Sequence, residues 1–195
     1  METVKSAHKE SLERIAIFID YHNLEGSLRN ENYQTNMLSL RNYLADGRWL
    51  LETMVYVGFN PNNLEEDGNF HRFLRMHGFI VCTKPAKIKP DGTLKCDLDI
   101  ELAIGVIDYV LQTKPSVVVL LTGDGDFVTL VNWLRLRGVR VEVASTPNSL
   151  SQDLRESAND YIDLCEAIDE IQRGDKIQRK EVYMNDDGDN QRSEA

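Results

Sequence analysis

Cysteines, long apolar runs and an excess of basic charge are all scarce or missing in this sequence. The three cysteines, Cys82, Cys96 and Cys165, are odd in number and widely spaced, which argues against a disulfide framework and a cysteine-based zinc site. They fit a reducing compartment, so we expect a cytoplasmic protein. No apolar run approaches the roughly 18 residues that a membrane span needs, and Ile15–Ile19 is too short for a signal peptide. We therefore expect no membrane segment and no leader.

The charge balance is acidic, with 22 basic and 32 acidic residues and a formal net charge of −10. A chain this acidic is poorly suited to bind nucleic acid mainly by neutralising phosphates. An enzyme that meets nucleic acid through a bound cation and a local basic patch is still compatible with it. The remaining composition, 42% hydrophobic and 28% charged over 195 residues, indicates an ordinary globular protein of about one domain.

Short apolar runs alternate with helical patterns along most of the chain. Strands rich in Val, Ile and Leu, separated by helices, predict a parallel sheet that is covered on both faces. We predict an α/β fold, a Rossmann-like three-layer α/β/α sandwich with a mostly parallel sheet of about five strands. The predicted strands are Ile15–Asp20, Met54–Phe59, Phe79–Thr83, Val117–Thr122 and Val139–Ala144, with 161–164 as a further candidate. The predicted helices cover residues 24–46 with a break at 34–36, 64–77, 97–113, 127–137, 150–158 and 164–173.

The composition changes at both ends of this pattern. Residues 1–14 are polar and form the expected lead-in to a single domain over residues 15–173. Residues 174–195 hold six acids, four bases and few apolar residues. Such a segment buries too little apolar surface to fold, so we expect an acidic, disordered tail.

Two of the predicted strands end in acidic residues. The first strand runs into Asp20, and the fourth runs into a Gly-Asp-Gly-Asp sequence that contains Asp124 and Asp126. Ligands of doubly wound folds gather beyond the carboxyl ends of the strands, so these acids are candidates for a site. Capping the following helix is the alternative role for Asp126, and forming a turn is the alternative for Asp124. We expect Asn23 to cap the first helix, which leaves Asp20 in need of a partner or a cation.

Helix phase identifies a further acid. At about 100° per residue, Asp99 lies on the same face as the apolar positions Ala103, Val106 and Val110 and continues their buried stripe. The helix dipole favours an acid in the first turn, but it does not explain why this one points inward. The acids of this helix that we expect to be solvated are Asp97, Glu101 and Asp108.

Several inward carboxylates at one sheet edge would repel one another and raise each other's pKa values. Either some of these carboxylates stay protonated, or a divalent cation holds them. A set of oxygen ligands alone suits Mg²⁺ or Mn²⁺. Such an ion polarises a phosphodiester and lowers the pKa of a bound water. The chemistry indicated is hydrolysis of a phosphodiester by water.

Four motifs, taken in order, resemble the NYN domain in its LabA-like branch. They are FIDYHNL at 18–24, KCDLDIELA at 95–103, TGDGDF at 122–127 and LVNWLRLRGVRVEV at 130–143. The resemblance runs from about residue 15 to residue 164 and implies a PIN-like nuclease architecture. It also implies a Mg²⁺- or Mn²⁺-dependent ribonuclease. The residues that match the family's catalytic and metal-binding acids are Asp20, Asp99, Asp124 and Asp126, with Asn23 beside them.

Two positions depart from that family's pattern. Many members carry a further acid six residues after the position of Asp99, where this chain has Gly105. The late Ala-Asp motif before an aromatic residue reads here Ala158-Asn159-Asp160-Tyr161, so Asn159 replaces an acid. Both changes bear on the number of metal ions and on the strength of catalysis.

Substrate contacts are expected at the end of the first strand and in a loop rich in lysine. His22 and Asn23 are expected to position substrate or water. The loop leads directly into the helix of Asp99, and because it is bounded by prolines we expect it to be flexible, with little helix or strand. Its candidate RNA-binding residues are Lys84, Lys87, Lys89 and Lys95, for which simple solvation is the alternative. We expect Trp49 and Trp133 to belong to the core rather than to stack on bases.

Two functions are compatible with these residues. The first is a ribonuclease acting on RNA, with single-stranded RNA as the expected substrate and a symmetric homodimer as a working expectation. The second is an RNA-binding or regulatory module that keeps the fold and the metal pocket but cleaves poorly. Four retained acids favour the enzyme, whereas the net charge, Gly105 and Asn159 favour the module.

Overall fold

The computed structural model describes residues 13–88 and 94–174. Its strands are β1 (Arg14–Asp20), β2 (Trp49–Phe59), β3 (Ile80–Pro85), β4 (Lys87–Ile88), β5 (Leu94–Lys95), β6 (Val117–Leu121), β7 (Arg140–Ser145) and β8 (Asp160–Asp163). Its helices are α1 (Tyr21–Asn30), α2 (Met37–Ala45), α3 (Leu64–Met76), α4 (Asp99–Thr113), α5 (Val128–Arg135) and α6 (Gln152–Ser157). A 3₁₀ turn spans Gly125–Phe127, and a last helix, α7, covers residues 164–174.

Six strands form one parallel sheet in the order β3-β2-β1-β6-β7-β8. The direction in which successive strands are added reverses between β1 and β6, the place where doubly wound folds bind ligands. The predicted Rossmann-like α/β sandwich is confirmed. The sixth strand, β8, coincides with the candidate extended segment at 161–164.

Two apolar layers sandwich the sheet, because alternate residues of each strand face opposite sides. Ile15, Ile17 and Ile19 of β1 pack against α1, α2, α3 and α7 on one face. Ala16 and Phe18 pack against α4, α5 and α6 on the other. All five central residues of β1 are buried, as expected for a strand covered on both faces.

Local signals account for the break between the first two helices. Asn36 Oδ1 accepts hydrogen bonds from the backbone N–H groups of Leu38 (2.8 Å) and Ser39 (3.3 Å), which caps the start of α2. Asp46 and Gly47 then take left-handed conformations at its end. The break predicted at 34–36 is therefore the capped start of a second helix.

The lysine-rich segment differs from the expected flexible loop. Its two ends form a short antiparallel ribbon in which Lys87 lies opposite Lys95. The expectation of little strand is therefore wrong at both ends, because backbone pairing needs no particular side chain. Lys89 lies outside the described residues, so its predicted role stays a prediction.

The two tryptophans differ in how far they meet the expectation that they belong to the core. Trp49 is the first residue of β2 and is 65% exposed, because it lies at the amino end of the sheet, beyond the helices. Trp133 is half-buried on α5. Trp133 packs against the core on that face of the sheet, as expected, whereas the expectation is wrong for Trp49.

The lead-in over 1–14 and the tail over 174–195 fall almost wholly outside the described residues, and the domain boundaries stay predictions. Within 13–88 and 94–174, no helix has the length and apolar character needed to cross a bilayer. The three cysteines are free thiols.

Candidate metal centre

Asp20 ends β1 and at the same time caps α1. The helix begins at the next residue, and Asp20 Oδ1 accepts the backbone N–H of Asn23 at 3.2 Å. The expectation that Asn23 caps this helix is wrong, because no loop separates the strand from the helix. Burial is the main cause that raises the pKa of Asp20, and the nearby Asp124 adds to it.

Asn23 instead joins the two strand ends of the site. Its Oδ1 accepts the backbone N–H of Gly123 at 2.9 Å, although the two residues are 100 positions apart. This hydrogen bond connects the start of α1 to the loop after β6. Asn23 therefore holds the loop that carries Asp124 next to Asp20.

Thr122 is a further residue of the site, which the sequence analysis did not single out. It is buried, and its hydroxyl donates to Asp20 Oδ2 at 3.5 Å and accepts the N–H of Asp124 at 3.3 Å. One hydroxyl thus contacts both acids. A buried polar residue between an apolar strand and a Gly-Asp turn was the available signal.

Asp124, and not Asp126, makes the capping contact in the second loop. Asp124 Oδ1 accepts the backbone N–H of Asp126 at 2.9 Å, so Asp124 caps the 3₁₀ turn. The alternative role considered for Asp126 is therefore taken by its neighbour, because the chain turns two residues earlier. The side chain of Asp126 is left exposed at the edge of the sheet.

Gly123 has no room for a side chain, because the loop after β7 approaches its backbone closely. A Cβ at this position would overlap the carbonyl of Ser149 and lie 2.7 Å from Ser145 Oγ. Ser151 N–H also donates to the Gly123 carbonyl at 2.8 Å. The loop after β7 therefore supports the loop of Asp124 from behind.

Three carboxylates converge at this edge. Asp99, at the start of α4, meets Asp124 and Asp126, and one oxygen from each lies within 4.8 Å of the others. Asp20 is outside this group of three but close enough for its charge to act on Asp99. We refer to Asp99, Asp124 and Asp126 as the acid triad.

The neighbouring charges that act most on Asp99 of the acid triad are all negative. The pKa of Asp99 is raised to about 6, first by burial and then by the charges of Asp97, Asp20, Asp124 and Asp126. A bound divalent cation would favour the charged carboxylate and so lower the pKa of Asp99 again. Carboxylate oxygens are the ligands that Mg²⁺ and Mn²⁺ prefer. The donor set therefore fits the expected ion.

Asp97 lies closer to the site than the helix-phase argument predicted. Because α4 begins at Asp99 and not at Asp97, the phase of the helix does not apply to this residue. Its Oδ1 accepts the N–H of Asp99 at 3.3 Å, and its charge is the first of the neighbouring charges that raise the pKa of Asp99. Asp97 is thus an exposed acid beside the triad.

His22 is attached to the neighbouring strand. Its Nε2 accepts the backbone N–H of Gly58 at 3.0 Å, so the neutral ring carries its proton on Nδ1. A Cβ at Gly58 would lie 2.7 Å from that nitrogen and 2.6 Å from Cys96 Cβ. The imidazole is exposed and turned toward the carboxyl end of β2.

The predicted lysines are not equivalent. Lys84 Nζ pairs with Glu101 Oε1 at 2.6 Å and donates to the Asp97 carbonyl at 2.8 Å. Its ammonium therefore already anchors the start of α4. Lys87 and Lys95 are exposed on the short ribbon that leads to that helix.

Comparison with known proteins is consistent with this geometry. A family model for the NYN domain matches residues 14–165. The chain belongs to the NYN domain family. It is 27% identical over 177 residues to the low amplitude and bright protein LabA of Synechococcus elongatus, covering 88% of this chain and 92% of LabA. A solved structure, the protein of unknown function VPA0982 from Vibrio parahaemolyticus, matches with a TM-score of 0.66 and 26% identity, covering 83% of this chain and 99% of that one.

Packing explains why this NYN domain has Gly105 where many members of the family carry an acid. A Cβ at Gly105 would overlap the hydroxyl of Tyr56 and lie 3.1 Å from its Cζ. Tyr56 is buried in β2, and burial raises its pKa. The space that a side chain at position 105 would occupy is therefore filled by a neutral phenol.

The second departure lies away from the acid triad. Asn159 Oδ1 accepts the N–H of Val141 at 2.9 Å, and its own N–H donates to the Val141 carbonyl at 2.9 Å. Val141 is near the start of β7, at the amino edge of the sheet, whereas the acids lie at the carboxyl edge. The effect of Asn159 on the metal ions stays a prediction, and in this structure its side chain serves to pair with Val141.

Proposed function

We propose that this NYN domain is a metal-dependent ribonuclease that hydrolyses RNA phosphodiester bonds. The observation that carries the proposal is the convergence of three carboxylates from α4 and the loop after β6 within 4.8 Å at the switch point of the sheet. Membership of the NYN family supports RNA as the substrate class. A bound cation would offset the charge repulsion among these acids.

The acid triad would hold Mg²⁺ or Mn²⁺, with Asp20 beside it. When bound, the ion would polarise the scissile phosphate and lower the pKa of the attacking water. Asp20 and Asp124 are held in place by their capping hydrogen bonds and by the Thr122 hydroxyl. Preorganisation of this kind avoids the cost of rearranging the site during the reaction.

Water is the proposed nucleophile, since the acid triad offers no activated side-chain hydroxyl or thiol. His22 and Asn23 lie on the first turn of α1 and are proposed to position substrate or water. Lys87 and Lys95 are proposed to contact the RNA backbone, together with Lys89. The proposed substrate is single-stranded, because the described part of this edge offers few exposed cations, Lys87 and Lys95 among them, and such an edge suits a flexible strand better than a duplex.

A catalytically weak RNA-binding or regulatory module is the second candidate. The specific observation in its favour is the Gly105–Tyr56 contact, which replaces a further family acid with a neutral side chain. Such a module would still bind the cation through the acid triad. Turnover, and not metal binding, separates the two candidates.

Compartment and assembly are parts of the proposal. Three free cysteines support a cytoplasmic location. The homodimer is proposed from the exposed apolar residues Ile104 and Leu111 of α4, which lie outside the cleft between α4 and α5 and would suit a helix-to-helix contact. Sedimentation of the purified chain tests the homodimer, and a purely monomeric species would reject it.

Cleavage of a labelled single-stranded RNA in Mn²⁺, Mg²⁺ or EDTA tests the proposal. An Asp20→Asn, Asp124→Asn double variant keeps both capping acceptors but removes two charges, so it should fold and lose activity by about 100-fold or more. Asp108→Asn is the matched control, because Asp108 is exposed on the far face of α4.

Metal-dependent cleavage by the wild type and by Asp108→Asn, but not by the double variant, is the expected result. Equal activity in all three proteins would contradict the proposal and indicate a contaminant. RNA binding and metal-dependent thermal stabilisation without cleavage in any of them would favour the module.

A further inference from the structure

A cleft of about 460 Å³ lies between α4 and α5 and opens at the acid triad. Asp99 and Asp126 line one end of it, and Asp97 lies beside them. The walls beyond them are apolar, with Ile107 on α4 and Trp133 on α5. The cleft therefore runs from the proposed metal ligands to an indole ring.

We propose that this cleft binds an unpaired nucleobase next to the scissile phosphate, with the Trp133 ring as its stacking partner. The inference rests on the proposed ribonuclease function and assigns that site a base-binding subsite. A volume of 460 Å³ lies within the range of about 300–1,000 Å³ that small-molecule sites occupy. Aromatic rings are the usual stacking partners of single-stranded bases.

The position of Trp133 along the chain suits one nucleotide. It lies seven residues after Asp126, which at about 1.5 Å per helical residue corresponds to about 10 Å. One extended nucleotide covers such a span when its phosphate is at the acids. The base would then lie against α5 while the phosphate stays at the edge of the sheet.

Arg137 keeps the indole in place and supplies a cation. Its guanidinium lies 3.6 Å from the centre of the Trp133 ring, and its Nη1 donates to the Trp133 carbonyl at 3.1 Å. An arginine plane over an aromatic ring both restrains the ring and offers a second surface for stacking. The Trp133 ring at the apolar end of the cleft thus carries a cation on one face, although Arg137 itself does not line the cleft.

Exposed apolar surface around the cleft indicates a function beyond folding. Ile100, which lines the cleft, is 71% exposed. A second cleft of about 560 Å³ between α1 and α3 has the aromatic residues Tyr21 and Phe70, but no member of the acid triad lines it. The cleft of Trp133 is therefore the better candidate for a base beside the reacting phosphate.

Tryptophan fluorescence gives a direct test, since the chain has two tryptophans. Trp49→Phe leaves Trp133 as the single reporter, and Trp49 lies at the amino edge, away from the site. A short oligouridylate is titrated into this variant with Ca²⁺ in place of Mn²⁺, and a ribose-phosphate strand of equal length without bases is titrated in parallel. Anisotropy of labelled RNA measures binding independently.

Quenching by the oligouridylate, but not by the abasic strand, is the expected result. Trp133→Ala should weaken oligouridylate binding by about 5- to 150-fold, because stacking on an aromatic ring is worth about 1–3 kcal/mol per base. Trp133→Phe should keep most of the affinity, and Trp49→Ala is the matched control that should keep all of it.

The outcomes separate the subsite from the nuclease. Suppose that RNA is cleaved, or that anisotropy shows it to bind, but that it does not quench Trp133 fluorescence and binds Trp133→Ala with unchanged affinity. That result would overturn the subsite and leave the nuclease proposal standing. Quenching without cleavage in Mn²⁺ would keep the subsite and reject the nuclease. Absence of RNA binding in every metal condition would reject both, and an apolar protein partner would then be the occupant to test.

Discussion

At the residue scale, two acids of the candidate site combine a structural role with a proposed functional one. Asp20 caps α1 with one oxygen, and Asp124 caps the 3₁₀ turn with one oxygen. A carboxylate has two oxygens, and each can accept more than one bond. Capping and cation binding are therefore not alternatives at these positions, because the cap orients the carboxylate for the ligand.

The raised pKa of Asp99 predicts how the stability of the metal-free protein depends on pH. Its pKa is about 6 in the folded chain against an ordinary value of 3.8, so between about pH 4 and pH 6 the folded state binds more protons than the unfolded state. Stability from this group therefore falls as pH rises through that window. Asp99→Asn should raise the melting temperature in EDTA near neutral pH, and the gain should shrink toward pH 4.

Thermal unfolding across that pH range, in EDTA and in Mn²⁺, is the measurement. In Mn²⁺ at neutral pH the wild type should melt at a higher temperature than Asp99→Asn. The wild type retains the full acid triad, and ligand binding stabilises the folded state. Asp108→Asn, on the exposed face of the same helix, should follow the wild-type curve. If the gain in melting temperature for Asp99→Asn did not change with pH, the raised pKa of Asp99 would be contradicted.

At the scale of elements, α4 and β2 meet at a contact that tolerates no added atom. Gly105 faces the Tyr56 ring, whose hydroxyl also lies 3.9 Å from Met54 Sδ. Burial holds the phenol neutral by raising its pKa. This contact sets how closely the helix of Asp99 approaches the sheet.

Gly105→Ala should destabilise the protein by about 1–3 kcal/mol through overpacking. Adding Tyr56→Phe removes the overlapping oxygen, so the double variant should be destabilised by less than the sum of the single changes. Urea denaturation of the four proteins measures the coupling.

Gly26→Ala on α1 is the control for the same substitution in open space. Nothing lies within 4 Å of a Cβ at Gly26, so alanine there should stabilise by about 0.4–1 kcal/mol. Equal effects at positions 26 and 105 would show that helix propensity, and not the Tyr56 contact, decides the outcome.

At the scale of the whole molecule, the two edges of the sheet have different tasks. The carboxyl edge carries the acids, while the amino edge carries a buried ionic contact. Arg48 Nη1 donates to both oxygens of Glu142, at 2.9 and 3.0 Å, and Nη2 donates to the Leu44 carbonyl at 2.7 Å. Glu142 is 6% exposed in β7, so this contact joins the loop after α2 to the sheet.

Arg48→Met should lower the free energy of unfolding by about 3 kcal/mol, because it leaves Glu142 buried with only Arg140 as a partner. The melting-temperature gain on adding Mn²⁺ should be unchanged, since the acid triad lies at the opposite edge. Arg140→Met, at a half-exposed arginine, should cost less. A loss of the Mn²⁺ response in Arg48→Met would mean that the two edges are coupled.

The order of elements and the identity of the acids could be predicted from the chain alone. Apolar runs such as Ile15–Ile19 can be buried only as strands covered on both sides, and helix phase alone turned Asp99 inward. These are local properties, since side-chain periodicity depends on neighbours a few residues away. Asp97 is exposed as expected, but it lies just outside the helix, so helix phase could not predict that it sits beside Asp99.

Tertiary structure decided which distant residues meet. The Asn23–Gly123 hydrogen bond, the Tyr56 hydroxyl over Gly105 and the placement of Asn159 at the amino edge each join segments far apart in sequence. Strand order and close packing place such residues together, and no local pattern encodes the distance between them. The sequence by itself determined the acids and the fold class, whereas the three-dimensional packing decided that three of those acids form one group, with Asp20 beside it and a tryptophan-lined cleft at its mouth.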